Sequence, residues 1–173
     1  MEHGYFQVYT GEGKGKTTAA IGLAVRAAGA GLKVYIGQFV KSMEYNEVKM
    51  IKERFPEITV ELYGKQGCIV GRNPDECDML SSQDGYKRAK EVILSHEYDV
   101  VILDEIFIAS YFNILRDDQL IDLVESRTEG TELVMTGRYA PQCVLDRADL
   151  VTEMRNIRHY YEKGVQARDG IER

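Results

Sequence analysis

One stretch, Thr10-Gly11-Glu12-Gly13-Lys14-Gly15-Lys16-Thr17-Thr18, leaves this chain few ways to fold. It follows the short β-rich run Phe6-Gln7-Val8-Tyr9. It opens a segment from Thr17 to Ala28 in which Ala, Leu, Ile and Val recur at helical spacing until Gly29-Ala30-Gly31 stops them. Strand, glycine-rich turn and helix in that order are the context a Walker A phosphate loop requires. The glycines let consecutive backbone N–H groups turn inward around phosphate oxygens. The helix N-terminus adds the positive end of its dipole, Lys16 adds a full charge, and Thr17 offers its hydroxyl to a magnesium ion. The competing reading, a glycine-rich surface turn with exposed lysines, is disfavoured by a Gly-Lys-Thr tripeptide at a strand-to-helix junction. The loop departs from GxxxxGK[ST] in one respect: Thr10 stands where the first glycine is expected, and the glycines fall at Gly11, Gly13 and Gly15. Such a loop is compatible with a part of ATP other than the γ-phosphate facing the reaction centre, although spacing alone does not decide it.

Downstream, Lys33 to Val40 and Ile58 to Leu62 read as strands, with a charged helix from Glu44 to Arg54 between them. Tyr63 to Ser81 carries Gly64, Gly67, Gly71 and Pro74 with little periodicity and reads as a long loop. Ser82 is then a candidate cap for a helix reaching Ser95. Asp99-Val100-Val101-Ile102-Leu103 is a continuous apolar run suited to a parallel strand covered on both faces, and it ends in Asp104-Glu105. A helix is expected over Asp117 to Arg127, a strand over Glu132 to Thr136, a short helix from Pro141 to about Arg147, and a last strand over Leu150 to Glu153. The polar segment 155–173 reads as a tail of no evident periodicity. The alternation predicts an α/β fold: a mostly parallel sheet between two helical layers, with ligands at the carboxyl ends of the strands. At 173 residues and 44% hydrophobic content, residues 1–173 are expected to form a single domain.

Asp104-Glu105 at the end of a buried strand is the expected acidic half of a nucleotide site, since a carboxylate there holds magnesium directly or through water. Which of the two touches the metal stays open, and a helix-capping role is the plainer alternative. A net charge of −6 argues against nucleic acid or an anionic membrane as partner, so phosphate binding must be local. Cys68, Cys77 and Cys143 form no CxxC and suggest neither a disulfide framework nor a zinc site. With no signal-like N-terminus and no long apolar run, a cytoplasmic location is expected.

Further residues are more specific. Gln7 to Ala20, Gln38-Phe39-Val40-Lys41, Leu103-Asp104-Glu105, Thr136-Gly137-Arg138 and Asp149 to Met154 occur in this order. The tail then carries His159 followed by Gly164-Val165-Gln166-Ala167-Arg168-Asp169-Gly170-Ile171-Glu172. Together they resemble the landmarks of the P-loop cob(I)alamin (ATP:corrinoid) adenosyltransferases along nearly the whole chain. The resemblance implies a RecA-like homodimer that transfers the 5′-deoxyadenosyl group of ATP to Co(I) of a corrinoid and releases triphosphate, with the nucleotide held in the sense opposite to that of ordinary P-loop enzymes. It implies that ATP is contacted by Thr10, Gly11, Glu12, Gly13, Lys14, Gly15, Lys16, Thr17 and Thr18. Magnesium, or manganese in its place, falls to Thr17 and Glu105, with Asp104 as their partner or an alternate ligand. Lys16, Thr17 and Glu105 then carry the catalysis, and a flavodoxin-like or flavin-dependent reductase supplies the electron.

Co(I) is itself a strong nucleophile, so the missing Ser-His-Asp or Cys-His set does not argue against an enzyme. In the family apolar and aromatic residues of the long loop press on the corrinoid; here Tyr63 to Arg72 offers Ile69 and Val70 but no Phe or Trp. Arg138 suits phosphate or corrinoid carboxamides as well as it suits a plain surface position. His159 reads as a hydrogen-bonding histidine rather than a cobalt ligand. Tyr9, Tyr111, Tyr160 and Tyr161 read as packing residues, with Tyr111 the one placed to line the pocket. Two other readings fit the motifs: a P-loop kinase or ATPase, and an ATP-binding corrinoid carrier without turnover. Lys16→Ala is expected to abolish most activity and to spare the fold, on the premise that the loop is exposed.

Overall fold

A computed structural model describes residues 2–41, 43–64 and 74–172. Six strands run β1 Phe6–Thr10, β2 Val34–Phe39, β3 Ile58–Tyr63, β4 Val100–Asp104, β5 Glu132–Thr136 and β6 Leu150–Glu153. Between them lie α1 Lys16–Gly29, α2 Asn46–Arg54, α3 Glu76–Ser95, α4 Ile106–Tyr111, α5 Asp117–Glu125 and α6 Gln142–Leu145, with a 3₁₀ turn at Tyr160–Lys163. The strands form one sheet in the order β3-β2-β4-β5-β1-β6, every pairing parallel.

Because successive strand residues face opposite sides, the apolar run of β4 feeds two cores at once. Val100 and Ile102 pack with Ala20, Ala24, Ala27 and Ala28 of α1 and with Val48 and Ile51 of α2. Val101 and Leu103 pack with Ala89, Val92 and Ile93 of α3 and with Leu120 and Leu123 of α5. The alanine stripe on α1 recurs at helical spacing, and its short side chains let the helix lie close against the strands. This brings the helix N-terminus to the carboxyl edge of the sheet, where the phosphate loop turns. Among the described residues no helix is long and apolar enough to cross a membrane.

Two expectations are corrected. The helix expected to start at Ser82 begins at Glu76: Asp75 accepts from the N–H groups of Cys77 (3.0 Å) and Asp78 (3.1 Å), and Asp78 accepts from Asp75 N (2.9 Å). This reciprocal cap was hidden because the first turn turns Met79 and Leu80 outward, so it carries no apolar periodicity, while Ser82 lies buried inside the helix. The short helix α4 was not expected at all, since its residues Ile106, Phe107 and Ala109 continue the apolar run of β4 and are fully buried.

Gly85 on α3 fits under two aromatic rings: a Cβ there would lie 2.6 Å from Cγ of Tyr63 and 2.9 Å from Cε1 of Phe39. Tyr63 cannot swing away, because its hydroxyl is tied to Glu61 and Tyr35. Gly85→Ala therefore lowers stability by about 1–2 kcal/mol, the overpacking outweighing the better helix propensity of alanine. Urea denaturation checks this, and an unchanged midpoint would contradict the packing described.

Candidate functional site

The chain leaves β1 through Gly11 at φ 98° and enters α1 through Gly15 at φ 124°, conformations open to glycine and strained for residues bearing a Cβ. Gly11 and Gly13 are also held by space: a Cβ on the first would lie 2.4 Å from Met154 O, and on the second 2.7 Å from Arg155 O. The segment after β6 thus backs the loop. Gly13 N donates to Met154 O (2.6 Å), and Met154 N donates to Thr10 O (2.8 Å).

A cleft of about 500 Å³ opens at this edge of the sheet. Gly13, Lys14, Gly15, Lys16, Thr17 and Thr18 line it along one side, and Lys41, Glu105 and Arg138 also reach it. Thr10, Gly11 and Glu12 stand behind that wall. Gly11 O accepts from Lys16 Nζ, and Glu12 accepts from Arg138 Nη1 at 3.1 Å. Lys16 is only 6% exposed, contrary to the premise of an exposed lysine, and Nζ lies 2.6 Å from Gly11 O and 2.8 Å from Gly13 O. Burial pushes the Lys16 pKa down, opposed by the nearby Glu105 carboxylate. Two loop carbonyls are weaker partners than phosphate oxygens for an ammonium in such a place.

The two acids differ. Asp104 is fully buried and accepts from Thr17 Oγ1 (2.9 Å) and Thr136 Oγ1 (2.7 Å) on one oxygen, and from Gln38 Nε2 (3.0 Å) and Lys41 Nζ (2.7 Å) on the other. Burial alone would raise its pKa, but the Lys41 charge and these donors hold it below the usual carboxylate range. Glu105 follows in the left-handed region at φ 58°, its N–H donating to Thr136 Oγ1 (3.0 Å). That turn aims its side chain into the cleft. Its pKa is raised, first by burial and then by Asp104 beside it. The sheet order explains the convergence: β2 and β5 flank β4, so Gln38 and Thr136 necessarily end beside Asp104.

The tail closes the far side. Lys14 Nζ, which sequence reasoning placed on phosphate, donates to Ile171 O (2.9 Å), Glu172 Oε1 (3.0 Å) and Tyr160 OH (3.2 Å). Asn46 at the start of α2 donates to Asp169 Oδ1 (2.8 Å), so α2 and the tail meet over the cleft. His159 lines the cleft and its Nδ1 accepts from Tyr161 N (3.1 Å), a hydrogen-bonding role. Tyr111 is half-exposed and stacked on Tyr139 at 4.2 Å, outside the cleft lining, and Tyr9 donates to Gln7 at 2.6 Å. Ile69 and Val70 lie outside the described residues. Sequence reasoning gave no role to Gln38, Lys41, Thr136 or Glu172; their only signal was that each sits in a stretch carrying the family resemblance.

Among the described residues no three His, Cys, Asp or Glu side chains could hold a metal by themselves. Thr17 Oγ and the Glu105 carboxylate are hard oxygen donors that could hold a magnesium ion together with waters and substrate phosphates.

Known proteins resemble this chain in fold and in sequence. The flagellar accessory protein FlaH from Methanocaldococcus jannaschii superposes with a TM-score of 0.60 at 14% identity, covering 88% of this chain and 72% of that one, a likeness of fold alone. The corrinoid adenosyltransferase of Pseudomonas aeruginosa is 31% identical over 172 residues, 99% of this chain and 84% of that protein. That of Escherichia coli strain K12 is 33% identical over 172 residues, 99% and 86% of the two. The family model described as ATP:corrinoid adenosyltransferase BtuR/CobO/CobP matches residues 2–173. With that match spanning nearly every residue and relatives about a third identical along the same span, this chain belongs to the ATP:corrinoid adenosyltransferase family.

Proposed function

We propose that residues 1–173 act as one ATP:corrinoid adenosyltransferase domain, with 155–173 as its tail, and that the cleft at the carboxyl edge of the sheet is where transfer occurs. The observation that carries this is the convergence of Lys16, Thr17, Glu105 and Arg138 on one cleft in a chain matched along its length by corrinoid adenosyltransferases. Co(I) of the corrinoid attacks C5′ of the ribose, the C5′–O5′ bond breaks, and the electron pair leaves on the triphosphate. No proton needs to move in this step. The chain's work is to stabilise the charge gathering on the leaving group with loop N–H groups, Lys16 and Arg138, and to hold ATP with C5′ toward the cobalt. A magnesium ion held by Thr17 and Glu105 would supply further neutralisation of the triphosphate. Asp104, with both carboxylate oxygens engaged as acceptors, acts by positioning Thr17.

A flavin- or flavodoxin-type reductase, a cytoplasmic setting and a homodimer belong to the same proposal. The dimer is supported by the outermost strand β6, whose Leu150 and Val151 stand 44% and 46% exposed.

Anaerobic incubation with chemically generated Co(I) corrinoid and magnesium ATP tests the reading. A light-sensitive alkylcobalt spectrum with free triphosphate is expected; ADP would instead mark a kinase or ATPase, and intact ATP a binder without turnover. Glu105→Gln is expected to lower turnover by about 100-fold. It should not lower the melting temperature: the raised pKa means the fold disfavours the Glu105 charge, so removing that charge relieves rather than weakens the native state. Full turnover in Glu105→Gln would remove it from the metal site.

A further inference from the structure

Beyond the residues just placed on ATP, the cleft holds a cation that the loop motif does not supply. Lys41 lies one residue past Val40, which sits at φ 55°, an unusual conformation for a β-branched residue. The bend is held by Val40 N donating to Tyr63 O (2.9 Å). It is also made possible by Gly64, where a Cβ would lie 2.6 Å from the Lys41 backbone. The strained turn carries the lysine inward. Its side chain is 17% exposed, and Nζ lies 2.7 Å from Asp104 Oδ2 and 3.3 Å from Thr17 Oγ1 while still lining the cleft. An ammonium has three donors; these two oxygens take two, and the third remains on the cleft side, where the Tyr45 ring lies 5.8 Å from Nζ and accepts no hydrogen bond from it. Of the other cleft cations, Lys14 is held by the tail carboxylate of Glu172, and Lys16 and Arg138 are those already placed on the triphosphate.

We infer that Lys41 is a further phosphate-binding residue of this site, a fixed positive charge beside Thr17 that contacts the triphosphate whether or not a divalent ion is bound. The inference rests on the phosphate site proposed above. It has a geometric corollary: an ion bridging Thr17 and Asp104 would have to displace Nζ, whereas an ion on Thr17 and Glu105 leaves it in place. Lys41 and the metal are therefore neighbours that share the anionic load. Loss of the ammonium weighs most when the metal is also missing. It weighs less when magnesium is present, because magnesium then screens the polyphosphate.

The test is calorimetric titration of the whole chain with inorganic tripolyphosphate, in EDTA and in excess magnesium. The wild-type protein should bind in both, and Lys16→Ala should bind weakly in both. For Lys41→Gln, affinity is expected to fall at least about tenfold in EDTA and no more than about threefold in magnesium. An equal loss under both conditions would mean that Lys41 merely positions Thr17, and no loss would mean that it does not meet phosphate; either overturns the inference. If Lys41→Gln proves too unstable to titrate, the Lys41→Gln/Asp104→Asn double variant, which removes both buried charges, is judged by the same split. Failure of the wild-type protein to bind tripolyphosphate would bring down the phosphate site itself, and Lys41 with it. A Lys16→Ala loss without the Lys41 split removes Lys41 alone.

Discussion

Lys16→Ala lowers adenosyl transfer by about 100- to 1,000-fold, the range seen when one preorganised donor to a developing negative charge is removed. Nζ already sits inside the loop, 2.6 Å from Gly11 O and 2.8 Å from Gly13 O. Phosphate oxygens arriving there meet an ammonium that needs no reorganisation. Because the charge on the departing triphosphate grows along the reaction coordinate, the loss falls on kcat more than on KM for ATP. The fold survives for a reason different from exposure: Lys16 makes no hydrogen bond to a carboxylate, so its removal strands no buried anion, and burial had already disfavoured its charge. Steady-state kinetics with Co(I) corrinoid, together with a thermal melt, decide the matter. Turnover within a few-fold of wild type would remove Lys16 from the reaction.

Asp104→Ala has the opposite profile, a stability effect first. It leaves the Lys41 ammonium buried without its partner and takes the acceptor from Thr17, Thr136 and Gln38. Breaking a buried pair by deleting one member costs about 3–5 kcal/mol, which for a chain of this size lowers the melting temperature by roughly 10 °C. The native pKa of Asp104 lies below its unfolded value, so the carboxylate stabilises the fold at neutral pH. That contribution is lost as pH falls through the depressed native value. The wild-type protein therefore loses more stability than the Asp104→Ala variant on acidification below the ordinary carboxylate range. Denaturant titrations at neutral and acid pH read this directly, and parallel losses in both proteins would show that Asp104 is not the charged partner described.

The parts of the molecule legible in sequence were those governed by local pattern. The alanine spacing of α1, the apolar run of β4 and the glycines of the loop each report a conformation that neighbours in sequence impose, and the parallel layered sheet follows from their order. The start of α3 was misread because its signal, the Asp75–Asp78 cap, is polar and brief, while the reading leaned on apolar periodicity. The short α4 was lost inside an apolar run because buried helix and buried strand look alike over a few residues. At the site, Lys16, Thr17 and the acidic pair were visible because the motif places them. The motif alone leaves the roles of Asp104 and Glu105 open and only the family resemblance divides them; the partners of Asp104 were not legible, since Gln38, Lys41 and Thr136 arrive from segments that become neighbours only in the folded sheet.

The backing of the phosphate loop by the segment after β6 also bears on when the protein becomes able to recognise nucleotide as it is made. The ribosome releases residues 10–18 early and Met154 and Arg155 late, yet it is the latter that seat Gly11 and Gly13 and accept the Gly13 N–H. Until they emerge, β1 lacks one of its two neighbours and the loop has no floor. ATP therefore meets a fully backed loop only once β6 and the residues after it are seated beside β1, and nucleotide capture reports that seating.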